Sequence, residues 1–191
     1  RLVVLPIHRL VSGIASSTSA KLESQLAHFF ILDFVPLTEG LFSHCGEPKP
    51  RAKRRGGEAI SKVIGEAILS ILGLEPQSLV TLKQRQDVSI ETMMPRNRSQ
   101  AYKEFSISLF NHIILDKMLG LAQGSGDIVH TVDVNEAYQQ VKEGKYQLAF
   151  LLNPPQPEIV KAIADAKDRL PRKSTYFYPK LPAGLIINPL D

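Results

Sequence analysis

The stretch 127–154, DIVHTVDVNEAYQQVKEGKYQLAFLLNP, decides the fold class. DIVHTVD is strand-like. Asp133 then stands three residues before Glu136, a D-x-x-E start resembling a capping box, in which a side chain at each end satisfies the first free backbone N–H groups. Gly144 is a helix terminator. Between them Val134, Ala137, Tyr138 and Val141 fall on one helical stripe. YQLAFLLNP is an apolar run closed by turn residues, as expected of an interior strand. Past it, Pro157 suits a helix first turn and Glu158 favours the positive end of its dipole. Ile159, Val160 and Ile163 then face inward, and STYFY and GLIINPL read as short closing strands. The strand–helix–strand–helix–strand order predicts an α/β fold, a mixed sheet with helices packed on it.

Working back from there, YKEFSISLFNHIILDKMLGL carries Ile107, Phe110, Ile114, Met118 and Leu121 at helical spacing, with Gly120 as the stop. DVSIETMMPRNRSQ is polar and irregular. ILSILGL and LVTLKQR resemble two strands around a proline turn, whereas GEAISKVIGEA is helical in composition, and a continuous helix over 58–72 competes with the first of those strands. ILDFVPL is a short strand. AKLESQLAHFF places Leu22, Leu26, Phe29 and Phe30 on one helical face, behind capping hydroxyls at Ser16 to Ser19. LVVLPIHRLV is a strand that bends at Pro6. The chain is therefore expected to comprise an N-terminal α+β portion, 1–95, carrying a basic loop at 38–57, and a C-terminal α/β portion, 96–191, in one continuous structural unit.

Composition narrows the function classes. Of 191 residues, 43% are hydrophobic and 22% charged, which excludes global disorder. The net charge of +4 favours anionic partners without demanding nucleic acid. A single cysteine, Cys45, excludes an intrachain disulfide and a thiolate cage, and fits a cytoplasmic location. It sits beside His44, with no third ligand at metal spacing, so no metal is expected. No apolar run reaches the roughly 18 residues of a membrane span, so no membrane partner is expected. The chain opens without Met inside a strand-like segment, which reads as the truncated start of a piece of a longer protein. In the basic loop, Lys49, Arg51, Lys53, Arg54 and Arg55 crowd together without an interleaved aromatic ring for stacking, so nucleic acid is an unlikely partner.

One segment concentrates binding chemistry: PRKSTYFYPK, residues 171–180. Arg172, Lys173 and Lys180 supply charge, and Ser174 and Thr175 supply donors beside Tyr176 and Tyr178. On a strand, Ser174, Tyr176 and Tyr178 would share one face, with Phe177 packed inside. A cation beside two hydroxyls suits a phosphate or carboxylate. The substrate-binding candidates are Lys173, Ser174, Thr175, Tyr176 and Lys180, with Lys173 as charge partner and Ser174 or Thr175 as donors. To these are added His8 and Arg9 after Pro6, and Asn153 at the end of the interior strand, where it serves a ligand contact or a helix cap. His112 reads as a core or boundary residue. No nucleotide P-loop, G-x-G-x-x-G, G-x-S-x-G or H-E-x-x-H frame occurs, GLAQGSGDI reads as a connector, and no catalytic residue is assigned.

LPIHRLV, FNHIILDKMLG, AFLLNP and above all KSTYFYPKLPAGLIINPLD resemble the bacterial and archaeal domain-of-unknown-function family numbered 1015. The resemblance runs over nearly the whole chain, strongest from Phe110 onward and weak across the basic loop. Members are about twice as long, and their N-terminal half carries a Gly-His-His-Arg stretch similar to the phosphate-contacting motif of the ParB and sulfiredoxin superfamily, which includes a free-serine kinase. That stretch is absent from this sequence, so the chain resembles the C-terminal half. The resemblance implies a cytoplasmic protein and kinase-like phosphotransfer by the intact molecule, with ATP or ADP and Mg as cofactors and the missing N-terminal half as partner. An anionic small molecule is the expected ligand. A non-enzymatic regulatory or protein-interaction module is the alternative.

Overall fold

A computed structural model of the chain describes residues 3–36, 63–69, 78–122 and 124–180. The strands are β1 (Val3–Leu5), β2 (His8–Val11), β3 (Phe30–Pro36), β4 (Val63–Leu69), β5 (Ser78–Gln84), β6 (Ile128–Thr131), β7 (Leu148–Leu152) and β8 (Tyr176–Tyr178). The helices are α1 (Ser16–Phe29), α2 (Gln100–Glu104), α3 (Ser106–Leu109), a π-helix over Phe110–Met118, α4 (Val134–Lys142) and α5 (Pro157–Asp165), with a 3-10 turn at Glu91–Met93.

Six strands form one sheet in the order β3-β5-β4-β7-β2-β6, and each of its ladders is antiparallel. Helices pack on it, the α/β arrangement expected from the sequence. Strand β7 is central, and all five of its residues are buried. It lies between β2 and β4, so strands from both sides of position 95 interleave in a single sheet. Register then assigns side chains to faces, because successive residues point to opposite sides. Val11, Leu148, Phe150 and Leu152 join the larger core, with α1, α3 and the π-helix. There the Phe110 and Phe150 rings meet edge to face at 4.8 Å. Leu10, Ala149 and Leu151 face the other way, against Ala137 and Val141 of α4.

Several local expectations need correction. Residues 63–69 are a strand, although GEAISKVIGEA is helical in composition; β4 is paired on both sides, by β5 and β7, and those ladders outweigh propensity. No side-chain cap precedes α1: its N-cap is Ala15, and Ser16 already lies within the first turn. Asp133 does cap α4, accepting from the N–H groups of Asn135 at 2.8 Å and Glu136 at 3.3 Å. Glu136 does not reach back to the cap, because its carboxylate accepts from the Thr131 hydroxyl. The long helix expected around Phe110 is two short α-helices running into a π-helix, whose Leu119 N–H bonds Ile114 O five residues back at 3.0 Å. Gly120 comes next at φ +68°, the left-handed stop that a glycine takes without steric penalty.

The N-terminal strand is split at Pro6. β1 pairs with β8 in a separate two-stranded ladder, and β2 enters the main sheet. Phe177, expected to pack inside, is 43% exposed on this ladder. The basic loop 38–57, Cys45 and the GLIINPL segment lie outside the described residues.

Candidate functional site

Pairing places Arg9, in the middle of three strands, opposite His130 of β6 and Phe150 of β7. Its side chain points towards the π-helix, with Cζ 6.0 Å from the centroid of the Phe110 ring. Only 1% of the residue is exposed. The guanidinium donates to Ile7 O through Nη1 and to Lys173 O through Nη2, the latter at 2.8 Å. Among the described residues no carboxylate pairs with it. Burial alone pushes its pKa down to about 10, which still leaves it charged at neutral pH. An uncompensated buried charge is costly, and buried charges in proteins ordinarily have a partner.

Beside this guanidinium lies a cavity of roughly 220 Å³. Arg9, Ile128 and His130 contribute from the sheet, and Asn111 and Leu115 from the π-helix. Gly124 and Ser125 close one side, and Arg172 and Lys173 another. π-Helical segments recur at functional sites because the extra residue per turn displaces a side chain from the regular stripe. Here the segment supplies Asn111, which is 2% exposed, to the cavity.

Two loops are held firmly around this space. Ser12 N–H donates to Asp127 O at 3.0 Å, and Gly13 beside it sits at φ +71°, where a β-carbon would also crowd the Asp127 carboxylate, with Oδ1 at 2.9 Å. The 171–174 turn is closed by Ser174 Oγ donating to Pro171 O at 2.6 Å. Arg9 bonds the turn's carbonyl at Lys173, which itself sits at φ +56°. Gly124 lies at φ +94°, and a β-carbon there would stand 3.6 Å from Arg172 Nη1, so the two loops approach across the cavity.

The electrostatic result is four basic groups with no acid among the described lining residues. His130 is held to a pKa of about 4, first by burial and then by the charges of Arg9, Lys173 and Arg172. It is therefore neutral at pH 7 in the field of three cations. Two neutral donors join them. Ser125 Oγ is buried with no hydrogen-bond partner among the described residues, and the buried Asn111 amide belongs to the lining.

Of the candidates from sequence, Arg9 and Lys173 meet at this cavity, joined by a hydrogen bond. The others lie elsewhere. Ser174 is buried with its hydroxyl committed to its own turn. Thr175 and Tyr176 are half-buried outside the lining, and Lys180 Nζ stacks 4.9 Å from the Tyr176 ring centroid. His8, adjacent to Arg9, points to the opposite face, where its Nδ1 accepts from Leu152 N–H at 3.2 Å. Burial and the Arg9 charge hold it to a pKa of about 4, against a smaller upward pull from Asp133. Asn153 comes directly after β7 and does not line the cavity. His112 bonds the Tyr102 hydroxyl at 3.0 Å. Sequence reasoning missed Asn111, Ser125 and His130 as site residues. The glycines of GLAQGSGDI are the available signal for close backbone approach, and Gly124 and Ser125 of that connector line the cavity.

Among the described residues no group of three His, Cys, Asp or Glu side chains is placed to hold a metal, and no helix is long and apolar enough to cross a membrane. No family model, curated protein or solved structure matches the chain.

Proposed function

We propose that the cavity at Arg9 is an anion-binding site for a small molecule. The observation that carries this reading is a guanidinium buried to 1% exposure, without a described carboxylate partner, facing a cavity shared with Arg172, Lys173 and His130. Charge-assisted hydrogen bonds to an oxyanion are short and strong, and a bound anion would supply the neutralisation that Arg9 lacks. Arg172 and Lys173, both exposed, would draw the anion in, while Arg9 would hold it where water is excluded. The described lining offers a divalent cation no carboxylate, so these residues fit the anion and not an accompanying Mg²⁺. Phosphotransfer by a longer, cytoplasmic protein of the resembled family is the setting in which such a site would serve a phosphometabolite or nucleotide.

Titration calorimetry of the chain with inorganic phosphate at pH 7 and low ionic strength tests this. The expected result is saturable binding that weakens as salt is added. No heat with phosphate, sulfate or acetate at millimolar concentrations removes the reading. A second reading, a protein-contact strand at 174–180, is favoured by the exposure of Phe177 (43%) and Tyr178 (57%) on the two-stranded ladder.

A further inference from the structure

Within that anion-binding reading, on which it rests, the geometry points to a narrower ligand class. We infer that the cavity takes a phosphomonoester dianion on a short carbon stem, in preference to a nucleotide or a monocarboxylate. Charge, donor placement and size each lead there independently.

Arg9, Arg172 and Lys173 place three basic side chains on the lining, with no described acid to offset them. A monocarboxylate answers one of these. A phosphomonoester near neutral pH carries close to two negative charges, because its second pKa is about 6. His130, held neutral by burial and by the neighbouring cations, keeps one ring N–H as a further donor.

Donor placement favours a tetrahedral group. A planar carboxylate is satisfied by one guanidinium fork lying in its plane. Here the donors come from separate directions: Arg9 from the sheet, Asn111 from the π-helix, Ser125 from one loop and Lys173 from the other. Three terminal phosphoryl oxygens, each accepting more than one bond, suit donors arranged in three dimensions. Ser125 Oγ is a buried group of this wall without a described protein partner, and a phosphoryl oxygen within reach would satisfy it.

Size sets the limit on the rest of the molecule. About 220 Å³ lies below the roughly 300 Å³ at which pockets for drug-sized ligands begin. No Phe, Tyr or Trp ring among the described residues lines the cavity to stack a base. Leu115 and Ile128 are its aliphatic lining, enough to cover a few carbons of a stem.

Calorimetry with a panel of defined probes decides the matter: glycerol 3-phosphate, inorganic phosphate, ADP and glycerate, each at pH 7. Glycerol 3-phosphate should bind tightest, by about tenfold or more over each of the others. Ser125→Ala should weaken it by about fivefold. Lys173→Gly, which removes an exposed cation at a backbone conformation glycine accepts freely, should weaken it by about tenfold with an unchanged melting temperature. If ADP or glycerate binds as tightly as glycerol 3-phosphate, the ligand class is wrong and the anion site stands. Equal affinity for inorganic phosphate shows that the stem contributes nothing and also overturns the inference. If none of the four binds, the anion site falls with it.

Discussion

Among the described residues two arginines lie against aromatic rings, Arg9 fully buried and Arg98 partly exposed, and only one of them has an acid partner. Arg98 Cζ is 4.8 Å from the Tyr102 ring centroid, and its Nη1 donates to Asp168 Oδ1 at 2.7 Å. That carboxylate also accepts from Ser99 N–H at 2.9 Å and Arg169 N–H at 2.7 Å. Backbone donation by Ser99, foremost, holds Asp168 well below the usual carboxylate range. Ser99 in turn caps α2 through its hydroxyl, so the group ties the start of α2 to the chain leaving α5. Arg9 has a ring and backbone carbonyls, and no acid among the described residues. The first charge is answered by a carboxylate of the same chain and staples two elements. The second has no acid among the described residues and lies beside a cavity, the contrast on which the proposed anion site rests.

Mild acid gives the largest separation between the two clusters. His8 and His130, each at about pKa 4 when folded against 6.5 in the free state, are stabilising as neutral groups. Between pH 6.5 and 4 the unfolded chain binds more protons than the folded one, so stability is full above 6.5 and falls as pH drops through that window. For buried His8 alone the loss at pH 5 is roughly 2 kcal/mol. Protonation of its Nδ1 would also cost the bond from Leu152 N–H. Asp168 has the same sign in a lower window: its depressed pKa gives stability that persists down to the ordinary carboxylate range and is lost only in stronger acid. Urea denaturation at pH 7 and pH 5 should show the drop, and a flat profile would mean that water reaches both histidines.

Arg9→Met tests the open charge directly, through binding. It removes the open charge while keeping a long side chain over Phe110, and phosphate affinity should fall by about a hundredfold, or about 3 kcal/mol. Calorimetry measures it, and retained affinity would make Arg9 a second staple. Asp168→Asn is the counterpart with a smaller expected cost. It weakens the ion pair and the Ser99 bond, should destabilise the fold by about 2 kcal/mol in urea, and should leave phosphate affinity unchanged. A coupled loss of binding would erase the distinction between the two arginines.

Legibility in the sequence tracks the range of the interactions concerned. The cap at Asp133, the stop at Gly120, the stripe of α4 and the apolar run of β7 are local, set by residues a turn or a strand apart, and each was legible. β4 was not, because its strand state depends on partners at 78–84 and 148–152. The π-helix keeps apolar residues near helical spacing, so its wider turn left no mark in the pattern. For the site, charge next to proline drew attention to Arg9 and Lys173. His130 became a site residue only through its register opposite Arg9, and Asn111 through the π-turn. Ser174 and Thr175 looked like donors because their composition was right. Nothing in the sequence says that the Ser174 hydroxyl is consumed by its own turn.

The interior position of β7 has a consequence for biosynthesis. A ribosome releases β2 and β4 long before residues 148–152, yet each of those strands needs β7 along one side. Until then the nascent chain carries two unpaired strand edges, the kind of surface that recruits chaperones or neighbouring chains. Completion of the sheet is thus a late, long-range event, and slow translation between β4 and β7 would prolong the vulnerable interval.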